Sequence, residues 1–210
     1  MSPSTTLVVP ANEATRVRRG ADMRTGPDAL VELAHDPSVT VRAALALNNA
    51  APAQVNDELA HDCDERVRVL LARKLAALAT GLSPVDQARL YQETWETLKA
   101  LAADEATRVR MVIADAVKEL PNAPHELICQ LAGDVEDSVS DPVIRLSPLL
   151  TAEDLVALIA AAPAGGRLLA VAQRSDLHPS VSDAIAASAN AAAIRALLGN
   201  RSARIREATL

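Results

Sequence analysis

Aromatic residues are almost missing from this sequence, which contains no Phe, a single Tyr (Tyr91) and a single Trp (Trp95). Half of its 210 residues are nevertheless apolar, and Ala and Leu dominate among them. A β-sandwich or β-barrel core needs β-branched and aromatic side chains, whereas small, unbranched ones suit helices that pack closely on one another. The composition therefore predicts an all-α protein that is long enough to bury a core.

Disulfides, membrane spans and a basic excess are missing as well. Cys63 and Cys129 are too few and too far apart for a disulfide framework, which favours a reducing compartment. No apolar run approaches the roughly 18 residues of a membrane helix, and residues 1–10 lack the basic start of a signal peptide. We therefore expect a cytoplasmic protein with no membrane partner.

Positive charge is concentrated in one place. The formal net charge is −6, which argues against a nucleic-acid partner for the chain as a whole. The exception is the N-terminal segment, residues 1–26, which we predict to be an arm or a degenerate helix. Its basic residues are Arg16, Arg18, Arg19 and Arg24.

One short pattern recurs along the chain: an Asp or Asn, a Val or Ile five positions later, and usually an Arg at the sixth. Its copies are Asp36/Val41/Arg42, Asp62/Val67/Arg68, Asp104/Val109/Arg110, Asp134/Val139/Ser140 and Asn200/Ile205/Arg206. An Asp before a helix accepts the unpaired N–H groups of the first turn, and Pro37 suits the first helical position. A charged binding track is one interpretation of these columns. We favour a structural ladder, in which each Asp caps a helix and each Arg pairs with an acid of the neighbouring repeat.

The pattern separates predicted helices in pairs. Asp62 follows Asp36 by 26 residues, a length that suits two short helices and tight turns, the unit of an α-solenoid. We predict regular repeats over residues 27–141 and continuing helical repeats over 142–210, where Pro142 and Pro148 should shorten or kink helices. The predicted helices cover 27–34, 36–47, 53–61, 62–81, 83–103, 104–120, 125–133, 134–145, 151–159, 167–174, 179–188, 191–199 and 200–210.

The last copy of the pattern has hardly begun when the sequence stops. We therefore expect a fragment of a longer protein, or an end that docks on a second copy of the chain. Thr151 and Asp154 form a capping box ahead of a further helix, which explains Asp154 without any acid–base role.

The repeated Asp-x-x-x-x-Val-Arg pattern between two helices resembles HEAT-like repeats. The second half is similar to the uncharacterised bacterial family called domain of unknown function 2336. The segments that carry this resemblance are 143–150, 153–155, 169–177, 197–200 and 203–205. The resemblance implies a right-handed α-solenoid of HEAT-like antiparallel helix pairs in a bacterial cytosol, and no established activity.

The inner helices of a solenoid commonly line its concave face. The positions on these helices that are not expected in the core carry mixed charge, which suits a protein or peptide better than a polyanion. Tyr91 and Trp95 are either partner anchors or core residues that fill the space beside a long helix. The predicted partner-binding residues are Asn48, Asn49, Arg73, Lys74, Asp115, Lys118, Glu119, Arg145, Tyr91 and Trp95.

A catalytic or metal-binding signature does not stand out. Residues 61–64 (His-Asp-Cys-Asp) offer three types of ligand, but adjacent side chains on a turn diverge, and paired spacings such as Cys-x-x-Cys are absent. We therefore expect no enzyme, metal or cofactor, and a scaffold that binds a protein or peptide on its concave face. The alternatives are a HEAT-like protein that acts on nucleic acid or a chromophore, and a module that self-assembles through its C-terminal unit.

Overall fold

The computed structural model of the chain describes residues 12–81, 88–161 and 166–204. All regular secondary structure in these ranges is α-helical, in thirteen helices. The predicted all-α class is thereby confirmed. The described residues divide into two compact units, with the boundary between Lys74 and Leu75.

The N-terminal unit contains four short helices and the first part of a longer one. α1 packs on α3, and α2 packs on both α3 and α4. Leu30, Val41, Leu45 and Val55 are fully buried at these contacts, because apolar residues three and four apart form one face of each helix. Leu47, predicted in the buried stripe of α3, is instead 53% exposed, since it follows the last helical residue. The helices are α1 (Glu13–Ala21), α2 (Pro27–Ala34), α3 (Val39–Ala46), α4 (Ala53–Ala60) and α5 (Glu65–Gly81).

Helix α1 lies within the segment predicted as an arm or a degenerate helix. The side chain of Asn12 accepts the N–H of Thr15 at 2.9 Å and so caps its first turn. Gly20 is buried in its last turn, where α1 meets α3. Residues 1–11 of the predicted arm lie outside the described residues.

The first residues of α3 differ from the prediction. The helix begins at Val39, and Pro37 lies in the turn before it. The carboxylate of Asp36 accepts the N–H of Ser38 at 2.9 Å, which closes an Asx turn around Pro37. Asp36 therefore organises the turn ahead of the helix and does not cap the helix itself.

The C-terminal unit contains the remaining helices. α7 packs on α9, α9 on α11 and α11 on α13, and we call these four helices the row. α6, α8, α10 and α12 each pack on the row helix that follows them in sequence. The predicted start of α6 at Ser83 lies outside the described residues. The bounds are α6 (Ala88–Leu101), α7 (Thr107–Val117), α8 (His125–Ala132), α9 (Asp137–Leu146), α10 (Ala152–Ala161), α11 (Gly166–Ala172), α12 (Pro179–Ala187) and α13 (Ala191–Gly199).

Helices α9 and α10 test two sequence predictions. α9 continues through Pro142 up to Leu146, so Pro142 does not shorten it; a proline near the first turn costs little, because few N–H groups there have helical partners. The capping box of α10 is confirmed. Thr151 N–H donates to Asp154 Oδ2 at 2.8 Å, and Asp154 N–H donates to Thr151 Oγ1 at 3.2 Å.

Two asparagines join the C-terminal ends of successive helices. In the N-terminal unit, the buried amide of Asn48 donates to the carbonyl oxygens of Gly20 (2.8 Å) and Asp22 (3.2 Å), and its Oδ1 accepts the N–H of Ala50 at 2.8 Å. These bonds satisfy carbonyl groups that the end of α1 leaves without helical partners. Asn48 therefore fastens α3 to α1.

Asn200 makes the same set of bonds in the C-terminal unit. Its amide donates to the carbonyl oxygens of Ala172 (2.9 Å) and Arg174 (2.7 Å), and Oδ1 accepts the N–H of Ser202 at 3.1 Å. The donor–acceptor separations along the chain, 28 and 26 residues, are those of Asn48. Asn200, predicted as a fifth copy of the Asp–Arg pattern, thus acts as the counterpart of Asn48, and residues 205–210 of that copy lie outside the described residues.

The asparagine bonds predict a local stability difference. Asn48→Ala should lower the free energy of unfolding by about 2 kcal/mol, because it leaves buried carbonyl groups of α1 without donors. Asn49→Ala, at the exposed neighbouring position, should stay within about 0.5 kcal/mol of the parent. Urea unfolding followed by circular dichroism measures both; equal effects would contradict the role of Asn48.

Candidate functional site

The Arg and Asp of the recurring pattern form ion pairs between successive repeats. Arg42 donates from Nε and Nη2 to the two oxygens of Asp62, at 2.6 and 3.1 Å. Its Nη1 donates to the backbone carbonyl of Asp36, the first residue of its own copy, at 2.7 Å. One guanidinium thus ties together two consecutive turns of the chain. The pair is buried: the side chains of Arg42 and Asp62 are 11% and 3% exposed.

The same geometry returns elsewhere in each unit. In the C-terminal unit, Arg110 donates to both oxygens of Asp134, at 2.6 and 3.0 Å, and to the carbonyl of Asp104 at 2.8 Å. In the N-terminal unit, Arg68 Nη1 donates to the carbonyl of Asp62 at 2.6 Å, and Arg16 Nε donates to Asp36 at 2.6 Å. The pairing of each Arg with an acid of the neighbouring repeat was predicted, and these contacts agree with that interpretation. The predicted capping role changes, because the Asp bonds the N–H two residues on.

The ionisation of two ladder carboxylates reflects these contacts. Burial alone would raise the pKa of Asp36, but the hydrogen bonds from Arg16 and from the Ser38 N–H outweigh it and hold the pKa below its usual range. Burial and the opposing bonds from Arg110 and the Glu136 N–H act in the same way on the pKa of Asp134. Both carboxylates are therefore charged at neutral pH and occupied by structural partners.

The ladder changes where Ser140 replaces the Arg. Its buried hydroxyl donates to the carbonyl of Glu136 at 3.3 Å. A different arginine takes over nearby, since Arg174 donates to the carbonyls of Ile144 (2.7 Å) and Ser147 (2.5 Å) at the end of α9. Burial lowers the pKa of Arg174. Sequence spacing did not single out Arg174, because it lies outside the recurring pattern.

The predicted partner-binding residues separate by exposure. Asn49, Arg73, Asp115, Glu119 and Arg145 are exposed, and Lys118 and Tyr91 are half-buried. Asn48, Lys74 and Trp95 are buried, so a partner could not contact these three without rearrangement. Their expected place on an accessible face is wrong, and each has a structural contact instead.

Tyr91 and Trp95 form an edge-to-face pair on α6, with ring centroids 5.9 Å apart. Trp95 is 3% exposed, whereas Tyr91 donates its hydroxyl to the carbonyl of Asn122 at 2.9 Å. Such a pair adds stability beyond the area it buries. The interpretation of Trp95 as a core residue fits the structure, and its interpretation as an anchor does not.

Lys74 lies in a polar contact inside the N-terminal unit. Its Nζ donates to Asn56 Oδ1 at 2.6 Å and to the carbonyl of Asn48 at 3.3 Å. Burial without a carboxylate partner in this contact lowers the pKa of Lys74 to about 8.

The turn at residues 61–64 directs its side chains to separate partners. Asp62 pairs with Arg42 and Asp64 with Arg66. His61 Nδ1 lies 2.9 Å from the carbonyl of Asp57. His35, at the equivalent position after α2, makes a similar contact with the carbonyl of Val31 at 3.2 Å.

A second cluster was missed by the sequence analysis. His125 and Cys129 on α8 meet Asp154 on α10, and one ligand atom from each lies within 4.8 Å of the other two. The four-residue spacing of His125 and Cys129 was a usable signal. Asp154 gave none, because it lies 29 residues away from His125 and was already explained by the capping box.

Each helix of the row exposes one large aliphatic side chain to solvent. Exposed fractions range from 37% to 61%, unlike those of the buried Ile113, Val143 and Leu197 on the same helices. These side chains are Met111 on α7, Leu146 on α9, Leu169 on α11 and Leu198 on α13. We call them the row aliphatics.

The basic residues of the N-terminal segment are partly neutralised. Arg16 is paired with Asp36, and Arg24 contacts Asp22 at 3.2 Å. Arg18 and Arg19 are exposed on α1. In the described ranges, no helix is both long and apolar enough to cross a bilayer.

An all-α unit of paired helices with a row of exposed aliphatics is therefore the setting for comparison with known proteins. Residues 139–210 match a family model described as "Uncharacterised protein conserved in bacteria (DUF2336)". This match confirms the predicted resemblance of the second half. No curated protein and no solved structure matches the chain, and the predicted resemblance of the first half to HEAT-like repeats stays a prediction.

The buried ion pair generates a stability prediction. Arg42→Ala should lower the unfolding free energy by about 3 kcal/mol, because it leaves the buried Asp62 carboxylate without its cation. Arg66→Ala removes an arginine that is 73% exposed and paired with Asp64, so a change below about 0.5 kcal/mol is expected. Urea titration of both variants compares them, and a neutral Arg42→Ala would refute the structural role of the ladder.

Lys74 generates a pH prediction. Its folded-state pKa of about 8 lies below the unfolded value of roughly 10.4, so the unfolded chain binds more protons between these values. Stability should therefore rise with pH across this window, by on the order of 2 kcal/mol relative to Lys74→Met, which cannot titrate. Urea unfolding of both proteins at pH 7, 8.5 and 10 measures the difference; parallel pH profiles would contradict the assignment.

Proposed function

We propose that the chain is a non-catalytic scaffold, a right-handed α-solenoid of HEAT-like antiparallel helix pairs that binds a protein partner in the bacterial cytoplasm. The contacts between alternate helices and the repeated Arg–Asp pairs support the solenoid, because stacked repeats bond mainly to their neighbours. The partner surface is the exposed side of the row, α7, α9, α11 and α13. The row is the layer that we assign to the concave face.

The row aliphatics carry this proposal. Single exposed apolar residues are common on any protein. Four successive helices of one layer, each with a large exposed aliphatic, form a repeated feature that a protein partner can read. The partner should therefore present an apolar stripe, as an amphipathic helix does.

The charges beside the row aliphatics support a protein over a polyanion. Asp115 and Glu119 are exposed on α7, and Arg145 and Arg195 are exposed on α9 and α13. Both signs are thus present on the same layer, and such mixed surfaces give specificity toward partners with complementary charges. A nucleic acid would instead need a continuous basic face.

The proposal predicts which substitutions abolish binding. The triple variant Met111→Ser, Leu169→Ser, Leu198→Ser should lose a protein that the parent chain retains in affinity capture from its own cells, because it removes the apolar contacts of three row helices. Retention is quantified by mass spectrometry. The melting temperature should change little, since all three side chains are exposed.

A matched control is available in the same unit. Val135 is 81% exposed in the turn between α8 and α9, so Val135→Ser removes an exposed aliphatic away from the row and should keep the partner. Light scattering at two concentrations tests whether the retained protein is a second copy of the chain. A triple variant that captures the same proteins as the parent would overturn the proposal, as would retention only of nucleic acid with a steep salt dependence.

A further inference from the structure

The cluster of His125, Cys129 and Asp154 brings three kinds of metal ligand to one point. His125 is the first residue of α8, and Cys129 lies one turn later on the same face of the helix. Asp154 reaches them from the first turn of α10. Two separate helices thus direct their side chains inward, which the turn at residues 61–64 does not do.

The distances in the cluster are close to those of a zinc site. His125 Nε2 lies 2.8 Å from Asp154 Oδ2, and Cys129 Sγ lies 3.5 Å from the same nitrogen. Zinc bonds of roughly 2.0–2.3 Å in a tetrahedron separate neighbouring ligand atoms by roughly 3.3–3.7 Å. The sulfur–nitrogen distance already has this value, and the nitrogen–oxygen distance needs to open by only about half an ångström.

The cluster is poorly arranged for a cysteine nucleophile. In a catalytic Cys–His–Asp set, the thiol and the carboxylate contact opposite ring nitrogens. Here both lie nearest to Nε2, since Cys129 Sγ is 3.8 Å from Nδ1. Burial and the nearby charge of Asp154 also raise the pKa of the Cys129 thiol, whereas an activated cysteine needs a lowered one.

The carboxylate is prepared for a cation. Burial would raise the pKa of Asp154, but hydrogen bonds from the Thr151 N–H and from His125 outweigh it and lower the pKa. The Thr151 N–H and hydroxyl donate to Oδ2 at 2.8 and 2.9 Å. Bonds of this kind orient metal-ligating carboxylates in proteins.

We propose that His125, Cys129 and Asp154 form a zinc-binding site with three protein ligands. Sulfur and imidazole ligands favour Zn²⁺ over Mg²⁺ and Ca²⁺, which prefer oxygen. Binding displaces the thiol proton of Cys129, so the Cys129 sulfur bonds the ion as a thiolate. Water or a small ligand takes the fourth position of the tetrahedron.

A small cavity beside the cluster defines what such a ligand would meet. It has a volume of about 250 Å³ and is lined by Cys129, Asp154, Leu150, Ala157, Leu158 and Ala161. Its wall is mostly apolar, apart from the two proposed ligands. A ligand bound through the metal would therefore be small and would carry an apolar group.

The site is tested on the full chain with metal alone. Isothermal titration of the metal-free protein with Zn²⁺ should give about one ion per chain. Cys129→Ser should weaken binding by more than the roughly 10–100-fold that loss of an outer-shell partner costs. With Co²⁺ in place of Zn²⁺, the parent should show a thiolate-to-cobalt charge-transfer band that is absent from Cys129→Ser.

The matched control uses the other cysteine. Cys63→Ser changes an exposed thiol next to His61 and Asp62, so its zinc affinity and cobalt spectrum should equal those of the parent. Circular dichroism checks that each variant is folded, and Cys129→Ser is chosen because it leaves the His125–Asp154 contact in place. Equal zinc affinity of the parent and Cys129→Ser, or a charge-transfer band lost only in Cys63→Ser, would overturn the proposal.

Discussion

The bonds of one arginine side chain, repeated along the chain, hold its turns in place. Arg42 and Arg110 each donate to a backbone carbonyl of their own turn and to both carboxylate oxygens of the next Asp. Only the planar guanidinium can make this set of bonds at once, because a lysine has neither the fork nor the reach in two directions. The helices between the turns add apolar contacts, whereas the guanidinium fixes which turn follows which.

This interaction was predictable because it is local in pattern and repeated. Asp36 and Arg42 lie six residues apart in sequence, and the same pair recurs at Asp62 and at Asp104. Burial of a polar side chain is harder to predict, since it depends on residues far away in sequence. Asn48 and Lys74 occupy positions that helical periodicity assigns to a surface, yet the end of α1 and Asn56 surround them. The start of α3 at Val39 was missed for a similar reason, because the Asx turn of Asp36 takes the place of a cap.

The candidate sites differ in the same respect. Exposed positions such as Asp115 and Arg145 followed from the helical period, but their partner does not follow from it. The cluster of His125, Cys129 and Asp154 needs α8 and α10 to meet, and no spacing in the sequence predicts that contact. Asp154 shows the difficulty best, since one carboxylate serves both as a capping residue and as a neighbour of His125.

The arginine pairs also show where the chain tolerates growth. Arg16 and Arg42 reach carboxylates 20 residues further on, and Arg110 reaches one 24 residues further on, with the same bonding atoms. About one helical turn of extra chain is therefore absorbed by the intervening helices while the turn geometry stays unchanged. Length variation in such an architecture accumulates inside helices and leaves the turns uniform, so a lineage can lengthen individual repeats without redesigning the junctions between them.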